Sequence, residues 1–232
     1  MGDIQKVIIV SGGDTWLVPL VVKELKKRSI SVKAVKISCR TNETRKKLKL
    51  LVMFGVKGSL GVFYTLFINR KFKYDAEFSL AEVGTLFDDT REKDLILLMN
   101  LPVKFPVQSG TVYNYHPSLL PAYKGLMSIP NIVFAKLKGE EADFGSTIHK
   151  INSNYDAGEI VWQKKLADQS LHQSIKSLYE KCYVDAEEGI VQIIKSTRDP
   201  DVIISKTKAS HSKVLSVIEI LQCLFLKLLT FK

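Results

Sequence analysis

The sequence predicts an α/β fold: a Rossmann-like, mostly parallel sheet with helices on both faces, followed by a short C-terminal helical tail. Three observations support this. The chain opens KVIIV at residues 6–10, then Ser11-Gly12-Gly13, then an amphipathic stretch and an alternating run, which is a β-turn-α-β order. A second apolar run, DLILLM at 94–99, has the length and composition of a strand buried on both faces. The 232 residues allow one large domain or one domain with an appendage, at roughly 150 residues per domain.

The elements follow in order. Residues 17–28, LVPLVVKELKKR, place apolar side chains at helical spacing and bases in the last turn. Residues 31–38, SVKAVKIS, alternate as a strand does. Residues 42–72 carry a helical pattern broken by Gly55, Gly58 and Gly61, which predicts two helices or one helix and a looser segment. A short element is expected at 79–83, and a central strand at 94–99. A strand at 111–115 (TVYNY) comes after a loop holding Pro102 and Pro106. A helix is expected at 129–138, and a strand pair at 146–151 and 159–166 around the turn 152–158. A long amphipathic helix is expected at 170–197. Beyond Asp199-Pro200 lie a short strand-like run at 201–204 and an apolar helix at 214–231. We therefore divide the chain into a body at 1–198 and a tail at 199–232.

Composition narrows the function classes. With 46% hydrophobic and 25% charged residues the chain is neither disordered nor collagen-like. Three widely spaced cysteines without a CxxC exclude a disulfide scaffold, point to a reducing, cytoplasmic setting, and make a metal site unexpected. The opening apolar run is too short for a signal-peptide core. Neither 48–68 nor 214–231 reads as a membrane span, since both carry charges. Residues 21–73 hold fifteen Lys and Arg against Glu24 and Glu43, a local charge of +13 within a net +10. Such a face attracts phosphates on a nucleotide, nucleic acid or lipid, or is a solvated helical surface. Aromatics are not interleaved as in a base-stacking surface, so no specific nucleic acid partner is expected. Weak membrane-surface contact and a homodimer remain as partner expectations.

The chemistry-bearing residues lie in two segments. In NYHPSLLP (114–121), Asn114 and His116 leave a strand on the same side, and Pro117 and Pro121 stiffen the segment after them. An amide beside an imidazole on a rigid mount suits an oxyanion and a proton transfer. A hydrogen-bonded buried histidine accounts for His116 equally well. Asn154-Tyr155-Asp156-Ala157-Gly158 is a polar turn in which Asp156 alone would be an ordinary turn aspartate. His149, His172 and His211 share no ligand spacing and read as structural or surface residues, and Trp16 and Trp162 as core.

Taken together, NYHPSLLPAYKG and GSTIHKINSNYDAGEIVWQ resemble the paired motifs of the 10-formyltetrahydrofolate-dependent formyltransferases. The likeness runs through Asn114, His116-Pro117-Ser118-Leu119-Leu120-Pro121, Lys124-Gly125, Gly145, Thr147, Asp156 and Gly158, and extends over roughly residues 5–195. The resemblance implies a formyltransferase fold and an enzyme of one-carbon metabolism. It would move a formyl group from the cofactor 10-formyltetrahydrofolate to a primary amine, a small-molecule acceptor. It implies a triad of Asn114, His116 and Asp156: the first two donate to the formyl oxygen, and Asp156 holds His116 and favours its cation. It further implies pterin contacts from Met99 and Asn100 and from Asn152, Ser153, Asn154 and Tyr155, largely through backbone groups. Acceptor contacts fall to Ser118, Lys124 and Gly125.

Within the family, the resemblance is greatest to the compact sugar N-formyltransferases, which act on nucleotide-linked amino sugars. The glycinamide ribonucleotide enzymes carry a Gly-x-Gly-Ser-Asn loop for the substrate phosphate. Here the same place reads SGGDTW at 11–16, with an acid and a bulky ring. The methionyl-tRNA enzymes add a C-terminal domain that has no counterpart in these 232 residues. Both remain alternative acceptor classes. A non-catalytic relative that binds RNA or a membrane through the basic face is the alternative of a different kind.

Overall fold

The computed structural model describes residues 6–38, 59–88, 94–106, 112–125, 127–195 and 219. Seven strands form one sheet in the order β3-β2-β1-β4-β5-β6-β7. They are β1 (Lys6–Ser11), β2 (Val32–Ser38), β3 (Ala76–Ser79), β4 (Asp94–Leu98), β5 (Val112–His116), β6 (Gly145–Lys150) and β7 (Ile160–Lys165). The first five are mutually parallel, while β6 and β7 run antiparallel to their neighbours. The helices are α1 (Val18–Lys27), α2 (residues 59–68), α3 (Val83–Asp88), α4 (Ser128–Leu137) and α5 (Ile175–Lys195).

The central strands are apolar throughout because both faces are covered. Val7, Ile9, Leu95 and Leu97 pack in one core with α1, α4 and α5. Their alternates Ile8, Val10, Ile96 and Leu98 pack in a second core with Val83 and Leu86 of α3. Helix α1 places Pro19 in its first turn, where a missing N–H costs nothing, and lays Val18, Val21, Val22 and Leu25 on the sheet. Arg28, at its end, pairs with Glu187 of α5.

The expected elements shift in three places. The strand expected at 111–115 is β5, Val112–His116, so His116 itself is on the strand. The expected element at 79–83 resolves into edge strand β3, a short 3-10 turn at Leu80–Glu82 and α3, joined through a capping box between Ser79 and Glu82. The long helix starts at Ile175 rather than 170. Side chains of Asp168, Ser170 and Ser174 instead accept the amides of Ser170, His172 and Ser177, holding a polar turn ahead of it. Of the helical pattern at 42–72, residues 59–68 are helical and 42–58 lie outside the described residues. The tail at 199–232, with its strand-like run and apolar helix, also lies outside them except for Glu219.

This topology fixes where a ligand can bind. From β1 the chain winds outward to β2 and β3, then returns to β4 on the other side. The carboxyl ends of β1 and β4 therefore face a crevice of the kind that takes ligands in open α/β sheets.

Candidate active site

A cavity of about 870 Å³ opens at that end of the sheet. Four polar side chains meet on its wall: Asn114 and His116 from β5, His149 from β6, and Asp156 from the turn before β7. Antiparallel pairing sets Asn114 opposite His149 in register and His116 opposite Thr147. Thr147 supports the segment after β5, donating to Ser118 O at 2.6 Å and accepting from Leu120 N at 3.1 Å.

The proton positions follow from the acceptors. His116 Nε2 lies 2.8 Å from Tyr123 O, and a carbonyl can only accept, so Nε2 carries the hydrogen. His116 Nδ1 then holds a lone pair and faces Asp156 Oδ2 at 3.6 Å. By the same reasoning His149 donates from Nδ1 to Lys150 O at 2.8 Å. Its Nε2 accepts from Asn114 Nδ2 at 3.1 Å. The second Asn114 N–H goes to Asp156 Oδ1, also at 3.1 Å. Gly125 N donates to Asp156 Oδ2 at 2.7 Å.

These contacts set the charges. Burial alone would raise the Asp156 carboxyl. The attraction of the His149 and His116 rings when they are protonated, together with the amide of Gly125, outweighs it and holds the group well below the usual carboxylate range. For His116 the balance is reversed. Burial lowers its pKa, and the attraction of Asp156 and the Tyr123 carbonyl only partly offsets that. Asp156 therefore favours the His116 cation, as expected, but burial is the larger influence and leaves the net shift downward, toward the neutral ring. Both Asn114 hydrogens are engaged in this arrangement, by His149 and Asp156.

Backbone strain gathers here. Asn100, Tyr123, Met127 and Asp156 all adopt positive φ, and all border the site. The turn that presents Asp156 depends on Gly158, since a Cβ there would lie 1.6 Å from Lys150 O.

The other expected residues divide. Lys124, Gly125, Asn100, Asn152, Asn154 and Tyr155 line the cavity. Asn100 does so with its side chain engaged, donating to Asp14 and accepting from Tyr183. Met99 points the other way: it is fully buried in the core, and Leu98, its neighbour on the strand, faces the cavity instead. Ser118 is also fully buried, its hydroxyl donating to Ala122 O at 2.8 Å, so it braces the loop and does not line the cavity. Ser153 is exposed in the turn, outside the lining. Trp16 and Trp162 are core residues as expected.

Sequence reasoning missed His149, read as structural, and Tyr179 and Tyr183, which reach the cavity from α5. Strand alternation from Thr147 carried a signal for His149. Among the described residues no cluster of His, Cys, Asp and Glu could hold a metal.

At the start of α1, Asp14 Oδ1 accepts the amides of Trp16 and Leu17 at 2.6 and 2.7 Å. Amides at such a position would otherwise be open to an external anion.

Residues 101–194 match the family model described as Formyl transferase. A GDP-perosamine N-formyltransferase of Brucella melitensis is 33% identical over 92 residues, 37% of this chain and 32% of that protein. A phosphoribosylglycinamide formyltransferase of Haemophilus influenzae is 37% identical over 78 residues, 32% of this chain and 35% of that protein. This chain thus spans about one third of the length of the curated relatives it matches. In fold it is similar to a sugar N-formyltransferase from a Shewanella species. The TM-score is 0.59 at 16% identity, covering 97% of this chain and 88% of the other. It is also similar to an N-formyltransferase from Helicobacter canadensis in complex with folinic acid and dTDP-3-aminofucose. There the TM-score is 0.53 at 16% identity, covering 90% and 70%. Residues 101–194 thus match a formyl transferase domain, and the fold of the chain is similar to that of sugar N-formyltransferases.

Proposed function

We propose that the protein transfers a formyl group from 10-formyltetrahydrofolate to the primary amine of a nucleotide-linked amino sugar. The observation that carries this reading is the meeting of Asn114, His116 and Asp156 on the wall of a cavity roomy enough for two reactants. Its volume lies toward the upper end of the usual range for ligand sites, ~300–1,000 Å³. The wall suits the cofactor: Leu98, Leu101, Phe105 and Ile151 offer apolar contact beside the polar groups of Asn152 and Asn154. The cofactor would supply the activated formyl carbon.

The chain's own residues do the rest. As the new C–N bond forms, His116 Nδ1 would accept the amine's proton, and it would return it to the cofactor nitrogen released as the old C–N bond breaks; Asp156, 3.6 Å away, would stabilise the imidazolium in between. Asn114, at the cavity wall, would supply an N–H to the formyl oxygen of the bound cofactor. Aligning the two reactants lowers the barrier by up to roughly 7–11 kcal/mol in favourable cases, so positioning by Gly125, Lys124 and the 152–157 turn is a large part of the work. A reducing, cytoplasmic setting suits the buried free thiol of Cys182.

The acceptor assignment draws on the likeness to sugar N-formyltransferases and on Asp14, whose carboxylate already takes two amides at the α1 start. A terminal monophosphate would have to displace that carboxylate, whereas a sugar nucleotide places its diphosphate away from the reacting amine. The test is kcat/KM for nucleotide-diphosphate amino sugars beside glycinamide ribonucleotide, each with 10-formyltetrahydrofolate. The reading predicts that a sugar nucleotide is preferred. A tenfold preference for glycinamide ribonucleotide, about 1.4 kcal/mol, would overturn it.

A further inference from the structure

Helix α2 is apolar on two sides. Its inner side is used: Ser59 and Val62 are buried, Leu66 packs on the main core, and Gly61 lies against the Lys176 side chain of α5. Its outer side carries Leu60, Phe63, Tyr64, Phe67 and Ile68, all exposed, from 41% at Phe63 to 66% at Tyr64. These positions recur at i, i+3, i+4, i+7 and i+8, the spacing of a single helical stripe. Contiguous apolar stripes of this kind mark interaction surfaces, whereas scattered exposed hydrophobics do not.

The charge beside the stripe selects its partner. Between residues 59 and 74 the charged residues are Arg70, Lys71 and Lys73, with no acid. All three are exposed, and the Arg70 guanidinium lies 4.2 Å from the centre of the Phe67 ring. The next acid, Asp75, is occupied as the acceptor of the Ala34 amide. The wider segment 21–73 carries +13. A second copy docking through this face would bring two sets of Arg70, Lys71 and Lys73 together, and like charges oppose that. An anionic lipid surface offers both requirements at once: an acyl boundary for the aromatic stripe and phosphates for the bases.

We propose that the outer face of α2, with Arg70, Lys71 and Lys73, is a docking surface for an anionic membrane. The aromatic stripe enters the headgroup boundary, and the helix lies in the plane of the surface. No helix among the described residues is long and apolar enough to cross a membrane. The inference stands apart from the catalytic proposal, because none of these residues lines the active-site cavity.

The test is co-sedimentation of the full chain with phosphatidylcholine vesicles, with and without phosphatidylglycerol, at low and high salt. The expected result is roughly tenfold tighter binding to the anionic vesicles, weakened by salt. Tyr64→Gln with Phe67→Ser should weaken it by roughly tenfold, and so should Arg70→Gln with Lys73→Gln, with formyl transfer unchanged in both. Hydrogen exchange of the wild-type chain should show protection of 59–74 on anionic vesicles, a readout independent of how the variants fold. Equal binding to neutral vesicles, or binding insensitive to the stripe substitutions, would overturn the proposal. So would a dimer that the Tyr64/Phe67 variant converts to monomer, protection of 59–74 already present without vesicles, or stripe-dependent binding to single-stranded RNA instead of lipid.

Discussion

Asp156 Oδ2 lies 3.6 Å from His116 Nδ1 and is fixed there by the Gly125 amide at 2.7 Å. The carboxylate is ionised and the imidazole neutral, because burial acts on both while only Asp156 has enough favourable contacts to overcome it. Burial thus favours the neutral imidazole, and the proposed role of His116 as proton acceptor draws on that.

Replacing the carboxylate tests that electrostatic role. Burial places the His116 pKa below the ordinary imidazole value of 6.5, so the acid limb of kcat/KM should lie below that value. Asp156 pulls the pKa upward. Asp156→Asn should therefore move the limb to still lower pH while slowing transfer by roughly 10²–10⁴-fold. A pH–rate profile with the limb unmoved or shifted upward would contradict the assigned charges.

His149 is expected to position Asn114. Its Nε2 accepts one of the two Asn114 amide hydrogens, and it is almost fully buried. His149→Leu leaves that donor unpaired, a loss of about 1–3 kcal/mol in urea unfolding. The turnover should fall more than the acceptor KM rises, since the substitution disturbs the orientation of a group that acts on the transition state. A variant with unchanged kcat would show that His149 only fills the core.

Gly158 should not tolerate even one added carbon. The Cβ of alanine would fall 1.6 Å from Lys150 O and 3.3 Å from His149 Nδ1, so the turn must move and Asp156 with it. Gly158→Ala should cost about 1–3 kcal/mol of stability and lose activity beyond what the unfolded fraction explains. Urea melts and transfer rates measured on the same samples will separate the two effects.

Much of the fold is legible in the sequence because its central strands are buried on both faces. KVIIV and DLILL can be nothing but inner strands, and both are. Edge strand β3 does not stand out from the 3-10 turn and helix after it. Its four residues AEFS alternate between half-buried and exposed and leave no apolar run. The amphipathic pattern places the start of α5 five residues early, because it does not reveal that Ser170 and Ser174 use their hydroxyls to accept backbone amides. Within the site, the family resemblance names Asn114, His116 and Asp156, and the structure brings the three together. The resemblance does not tell that the Met99 and Ser118 side chains are buried away from the cavity, because it does not give the direction of a side chain, and one step along a strand reverses it. His149, Tyr179 and Tyr183 need tertiary information: a β5–β6 register and the packing of a helix more than sixty residues beyond Asn114.

The central claim is that His116 acts on the formyl transfer itself, and one comparison tests it most directly. Single-turnover formyl transfer from 10-formyltetrahydrofolate to a nucleotide-linked amino sugar would be measured for the wild type and His116→Asn, with cofactor affinity measured on the same preparations. The account predicts a loss of roughly 10²–10⁴-fold in the transfer rate, with cofactor affinity within a few-fold, because the side chain acts in the transition state and not in ground-state binding. Wild-type transfer by the variant would contradict it.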